Sequence, residues 1–182
     1  MQLNPEKYYS VLARPVVIVT TISAEEKVNA APFSFCSPIS FSPPLIGFSC
    51  NPAHDTWANI QETGEFIINV ASPELGDYLH ILEQKFPRGV NELEKAGLRE
   101  LPSKCVRPPR VEKCVAWIEC KWLKELTYEI GDHMWVVGKV VCAEVDDECW
   151  DGVLRAEKTL LHLSGEYFAQ EAKVTKYKRA KG

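Results

Sequence analysis

The chain has 182 residues, 46% of them hydrophobic and 25% charged, with a formal net charge of -4. That length suits one domain with a real core, and the composition is globular rather than disordered. The acidic balance argues against a nucleic-acid binder, and no apolar run approaches the roughly 20 residues that span a bilayer.

The N-terminal run MQLNPEKYYSVLARP lacks the apolar core of a secretory signal, so a cytoplasmic protein is expected. Within it, Pro5 to Leu12 reads as a short helix, with Asn4 as N-cap and proline at the first helical position. Arg14 to Ile22 is dense in β-branched residues and reads as one buried strand. After the polar turn SAEEK comes NAAPFSFCSPISFSPPLIGFS, apolar yet broken by Pro32, Pro38, Pro43 and Pro44. Proline cannot donate to a sheet ladder, so two strands are expected here, Asn29 to Ser40 and Pro44 to Asn51, with the break at Pro43-Pro44.

His54 to Gly64 reads as a helix with Trp57 and Ile60 on one face and Gly64 as its C-cap. EFIINVA is a strand, PELGDYLHILEQ a helix weakened by Gly76, KFPRGVN a loop and ELEKAG a short helix. Glu112 to Leu123 alternates: Cys114, Ala116, Ile118, Cys120 and Trp122 share one face, and Lys113, Glu119 and Lys121 the other. Beyond the turn IGDH, MWVVGKVVCAEV is a long strand, apolar on both faces for most of its length, so each face needs a cover and a dimer partner is one candidate. LLHLSGEYFAQ closes the chain as a hairpin around Ser164-Gly165-Glu166. About seven strands, mostly antiparallel, with short peripheral helices make a mainly β fold, a small decorated barrel. The terminal run KVTKYKRAKG is basic, either a solvated tail or a clamp for an anion.

The seven cysteines include no CxxC pair, which leaves zinc ribbons and thioredoxin-like sites unsupported and suggests mostly reduced, buried thiols. There is no GxGxxG, P-loop or GxSxG, and His54, His80, His133 and His162 form no metal-ligand pattern. The positive signal is FSCNPAHDTWANI. A strand ends at Ser49-Cys50-Asn51, Pro52 turns the chain, and a helix starts near His54 to Thr56. A helix N-terminus offers free N–H groups and partial positive charge, which suit phosphate, with Ser49, Asn51, His54 and Thr56 as added donors; simple capping by Asp55 or Thr56 is the alternative. Upstream, the small residues Ala30, Ala31, Ser34 and Ser37 beside prolines would let a flat ring approach unpaired edge backbone, although prolines also protect a bare edge. Ring ledge and phosphate cup together describe a mononucleotide site.

The segments RPVVIVTT, NAAPFSFCSPISFSPPLIGFS, HDTWANIQETGEFIINV, GDHMWVVGKV and HLSGEYF, in this order over roughly residues 10 to 170, resemble the flavin reductase-like, FMN-binding split-barrel family. The resemblance implies a split β-barrel of Greek-key-like antiparallel order, one domain spanning 1–182 with a core of about 10–170 and a basic tail at 171–182, and a homodimer. It implies FMN held with its ring against Ala31, Pro32, Phe33, Ser34 and Ser37 and its phosphate near Ser49, Asn51, His54, Thr56 and Trp57. It implies hydride transfer from NADH or NADPH to flavin, with His133 lining the nicotinamide side, and it leaves room for a partner oxygenase or redox protein. The alternative within the family is a flavoredoxin-like electron carrier without nicotinamide activity. Many relatives carry Lys or Arg where this chain has His54; a neutral imidazole attracts phosphate less, and a nearby phosphate would raise its pKa.

Overall fold

A computed structural model describes residues 1–177; positions 178–182, the end of the basic tail, lie outside the described residues. The N-terminal helix forms as a 3-10 helix, Pro5–Val11, capped where Asn4 Oδ1 accepts from Glu6 N–H. The strand expected from Arg14 to Ile22 is cut at Val16 into β1 (Arg14–Pro15) and β2 (Val17–Ile22). The cause is a change of sheet: Val16 N–H donates to Leu160 O, and Val16 O accepts from Ala71 N–H, both at 3.0 Å.

The proline-rich stretch makes three strands rather than two: β3 (Val28–Phe33), β4 (Cys36–Ser40) and β5 (Leu45–Cys50). Then follow α1 (Asp55–Thr63), β6 (Glu65–Ala71), a 3-10 turn Pro73–Tyr78 running into α2 (Leu79–Leu82), α3 (Glu92–Ala96), β7 (Glu100–Leu101) and β8 (Arg110–Val111). The chain ends through β9 (Cys114–Trp122), β10 (Tyr128–Ile130), β11 (His133–Val145), β12 (Leu161–Ser164) and β13 (Tyr167–Ala169). Gly64, at φ 70°, closes α1 in the left-handed conformation that its lack of Cβ permits.

The main sheet runs β3-β2-β6-β9-β11-β5-β4, with β10 paired to β11, eight strands in all. Every adjacent pair is antiparallel. Its two outermost strands, β3 and β4, are joined by only Ser34 and Phe35. Such a link spans at most about 11 Å from Phe33 to Cys36. The sheet must therefore curl until its edges nearly meet, which makes a barrel split between β3 and β4. Phe35 O accepts from Ser49 N–H at 2.9 Å and fastens the link to β5. This break was hidden in the sequence because the residues on both sides of it share one composition.

Side chains inside the barrel come from alternate positions: Val17, Val19, Phe48, Phe66, Ile68, Cys120 and Val136. Phe33, Phe48 and Phe66 meet edge to face with centroids 5.1 and 5.3 Å apart. A Cβ at Gly138 would fall on the Phe66 ring, so glycine lets β11 close over this core. The outer face of β2 and β3 presents Ile18 and Ala30 to a second core built on Leu75, Leu79, Leu82 and Leu93. β2 is thus covered on both faces, which accounts for the apolar run Val16 to Val19.

Alternation in β9 misleads at one position. Glu119, which shares the charged face with Lys113 and Lys121, is 0% exposed, because the segment between β7 and β8 folds over it. The closing hairpin forms as expected, with Gly165 at φ 54°, and joins β1 in a separate three-stranded sheet. Among the described residues no helix is long and apolar enough to cross a membrane.

Candidate functional site

The free side of β3 is one wall of an open cleft of ≈ 460 Å³. Ala30 N–H points away from β2 and donates to Glu92 Oε2 at 2.9 Å. By the alternation of an antiparallel edge, Pro32 faces the same way, where its missing N–H breaks no ladder bond. Ala31, Pro32 and Phe33 line this wall, and Asn51, His54 and Thr56 line the opposite one. Six of the ten expected cofactor contacts therefore share one cavity. Leu82, Lys85, Phe86 and Glu92 complete it.

α1 starts at the cleft with His54 as its N-cap, and the His54 side chain makes no capping bond. Trp57 N–H and Ala58 N–H donate to His54 O, which leaves the N–H groups of Asp55 and Thr56 for another acceptor, with the dipole of this nine-residue helix behind them. Asn51 Oδ1 accepts from Ala53 N–H at 2.9 Å and shapes the turn, while its amide N–H groups remain as donors. Thr56 is 1% exposed, and its Oγ1 accepts from Asn29 Nδ2 at 3.0 Å. That leaves the hydroxyl hydrogen free to donate.

Burial pushes the His54 pKa down; the charges of His133 and Lys85 push the same way, against Asp55. His54 and Lys85 thus share the cleft, with His133 acting on His54 from outside it, an arrangement that disfavours an extra proton without an anion and favours one with it. Lys85 was read only as part of a loop. Nothing in KFPRGVN marks a ligand, and only tertiary folding brings it beside His54. Glu92, also overlooked, is buried, and burial raises its pKa despite the Ala30 N–H bond.

The other expected contacts lie outside this cavity. Ser34 lines a small adjoining cavity of ≈ 90 Å³ that shares Pro32 and Phe33 with the cleft. Its Oγ is 3.1 Å from His162 Nδ1 and 3.4 Å from Arg14 Nε. His162 Nε2 lies 3.0 Å from Gly165 O, which can only accept, so Nε2 carries the proton and Nδ1 accepts. Ser37 sits exposed on β4 and donates to Pro38 O. Ser49 lies within the β5–β11 ladder opposite Trp135. Trp57 packs edge-on against Trp122 with centroids 5.6 Å apart, as part of the barrel core. His133 opens β11, with Nδ1 2.7 Å from the Asp132 carboxylate.

A family profile described as flavin reductase like domain matches residues 9–170. An uncharacterised protein of Methanothermobacter thermautotrophicus is 37% identical over 83% of this chain and 72% of its own length. Nitrilotriacetate monooxygenase component B from Bacillus cereus superposes with a TM-score of 0.86 at 24% identity, over 97% of this chain and 98% of that one. A Shewanella frigidimarina protein described as a putative flavin reductase with split barrel domain gives 0.86 at 18% identity, over 99% and 100%.

Proposed function

The chain belongs to the flavin reductase-like family, and we propose that it binds FMN in the cleft between β3 and α1 and passes hydride to it from NADH or NADPH. The observation that carries this reading is the pairing of a proline-interrupted strand edge with an uncapped helix N-terminus across one cavity. Its volume falls in the range of small-molecule sites, roughly 300–1,000 Å³. The flat edge at Ala31 to Phe33 suits an aromatic ring. The α1 N–H groups, Asn51, His54, Thr56 and Lys85 suit a phosphate, with Ser34, Ser37, Ser49 and Trp57 supporting from just outside. When bound, FMN supplies the hydride-accepting ring.

The residues of the chain then have positioning roles. Lys85 and the α1 terminus hold the phosphate, which fixes the ring along β3. Phe33 and Phe86 exclude water beside it. His133, oriented by Asp132, presents Nε2 towards the incoming nicotinamide. A homodimer would cover the β4 edge, where Phe41 is 98% exposed and Phe35 and Ile39 are partly so. The reduced flavin would serve a separate acceptor, a partner oxygenase or a redox protein.

An anaerobic visible spectrum tests this. With FMN present, NADH or NADPH should bleach the flavin band far faster than in a control without protein. Bleaching that occurs only with a reduced redox protein would replace the reductase reading with that of an electron carrier. Protein that never retains FMN on desalting, and never speeds bleaching, would remove both.

A further inference from the structure

Away from the residues that line the cleft, Cys105 and Cys142 meet at the Glu119 carboxylate. Cys142 lies opposite Glu119 in the β9–β11 ladder, next to the irregularity between Val140 and Cys142. Cys105 is exposed, on the segment between β7 and β8. That segment is pinned by Lys104 N–H to Glu119 Oε1 at 2.9 Å and by Cys105 N–H to Glu119 Oε2 at 2.6 Å. The two sulfurs and a Glu119 oxygen lie within 4.8 Å of one another. Arg110 Nη2 reaches Cys142 Sγ at 3.6 Å and Glu119 Oε1 at 2.6 Å.

We propose that Cys105 and Cys142 are a dithiol oxidation site, closed to an intramolecular disulfide by small-molecule disulfides.

Accessibility sets the order of events. The Cys105 thiolate attacks one sulfur of the small disulfide, forms a mixed disulfide and expels a thiolate. Cys142 gives its proton to solvent, attacks Cys105 Sγ and expels the second thiolate. Two protein thiols are oxidised and one small disulfide is reduced to two thiols. Burial and the Glu119 charge raise the Cys142 thiol, and the Arg110 guanidinium, 3.6 Å from its sulfur, offsets part of that as the thiolate forms. The remaining cysteines do not compete. Cys50, Cys114, Cys120 and Cys149 are buried, and desolvation pushes the Cys36 and Cys50 thiols up to about 12. A metal ion fits the same atoms poorly. Both Glu119 oxygens are already taken by N–H donors, and a cation would face Arg110 directly.

Oxidised glutathione, added to the reduced full-length chain, is the test, and none of its readouts needs flavin. The intact mass should fall by about 2 Da, the signature of one disulfide. Peptide mapping should link Cys105 to Cys142, and the Tm should rise by about 5 °C or more, reversibly with dithiothreitol. Cys105→Ser should abolish the shift. Cys142→Ser should leave a glutathione adduct on Cys105 that persists. A persistent adduct on Cys105 of the unsubstituted chain, or a bridge to another cysteine or another molecule, would overturn the proposal. One zinc ion per chain that shields both thiols from alkylation, and is lost in both variants, would overturn it in favour of a metal site.

Discussion

Glu92 and Glu119 are both buried glutamates, and their surroundings drive them in opposite directions. Burial raises both, but at Glu119 the N–H groups of Lys104 and Cys105 and the Arg110 guanidinium outweigh it and hold the carboxyl below its ordinary range. At Glu92 burial wins, with the charge of Asp55 adding to it, because the one clear compensation from another element is the Ala30 N–H. Glu119 braces a loop against the barrel. Glu92 is a poorly compensated anion in the wall of a cleft. A fully satisfied buried charge marks architecture, whereas a half-satisfied one marks a place where something else is expected to bind.

The largest break in this contrast should come at Glu119. Arg110 is 6% exposed and, among the described residues, pairs its charge with Glu119 and Glu144. Glu119→Ala should cost about 3 kcal/mol, since it removes the buried partner of the guanidinium, leaving Glu144 to hold it, and takes the acceptor from the Lys104 and Cys105 N–H groups. Urea unfolding would measure it, and a loss below about 1 kcal/mol would show that the loop relaxes and resolvates Arg110. The two carboxylates also give opposite pH signatures. A depressed Glu119 contributes stability above its unfolded pKa, and this is lost as pH falls through the lower folded value. A raised Glu92 works the other way: stability is lost as pH rises from the ordinary carboxylate range through the higher folded value. Unfolding midpoints followed from acid to neutral pH should therefore lose their acid limb in Glu119→Gln, while Glu92→Gln should flatten a decline near and above the ordinary carboxylate range.

At the cleft the expected effects are smaller. Lys85→Ala should weaken FMN about tenfold, the value of a charge-assisted phosphate contact, and leave riboflavin unchanged. Equal losses for the two ligands would move Lys85 away from the phosphate. His54 should give a still smaller, pH-dependent term. Its lowered pKa leaves it mostly neutral above its ordinary range, and a bound phosphate pulls the value back up. His54 should then take up a proton on FMN binding and strengthen it as pH falls through the ordinary imidazole range. Titration calorimetry in two buffers of different ionisation enthalpy would detect the uptake, and His54→Gln should abolish it.

Much of the barrel is legible in the sequence, and the reasons are local. Asn4-Pro5, Gly64 and Gly165 carry turn and cap chemistry that tertiary structure does not override. The long strand at β11 and the α1 start follow from pattern and from an end signal. What stays hidden is long-range. Nothing around Val16 says that its N–H and C=O serve different sheets, and nothing at Ser34-Phe35 says that the chain crosses from one barrel edge to the other. Alternation assigns Glu119 to a face but does not know what covers that face. Two walls of the cleft, at α1 and β3, were readable, while Lys85 and Glu92 enter it from a segment some thirty residues downstream, for which the sequence holds no local signal.

Glu92→Gln should have the smallest effect and gives the sharpest comparison. Glutamine keeps an oxygen for the Ala30 N–H, so the β3 edge should not move, and only the charge is removed. If Glu92 is a strut like Glu119, losing that charge should destabilise the fold. If it is the strained anion described above, the variant should be as stable as the parent or gain up to about 1 kcal/mol at neutral pH, and FMN should bind a few-fold tighter as repulsion of its phosphate is relieved. Riboflavin provides the control: an equal gain for both ligands would mean that the side chain meets the ring rather than the phosphate. A clear loss of stability would place Glu92 with Glu119, as architecture that happens to border a cavity.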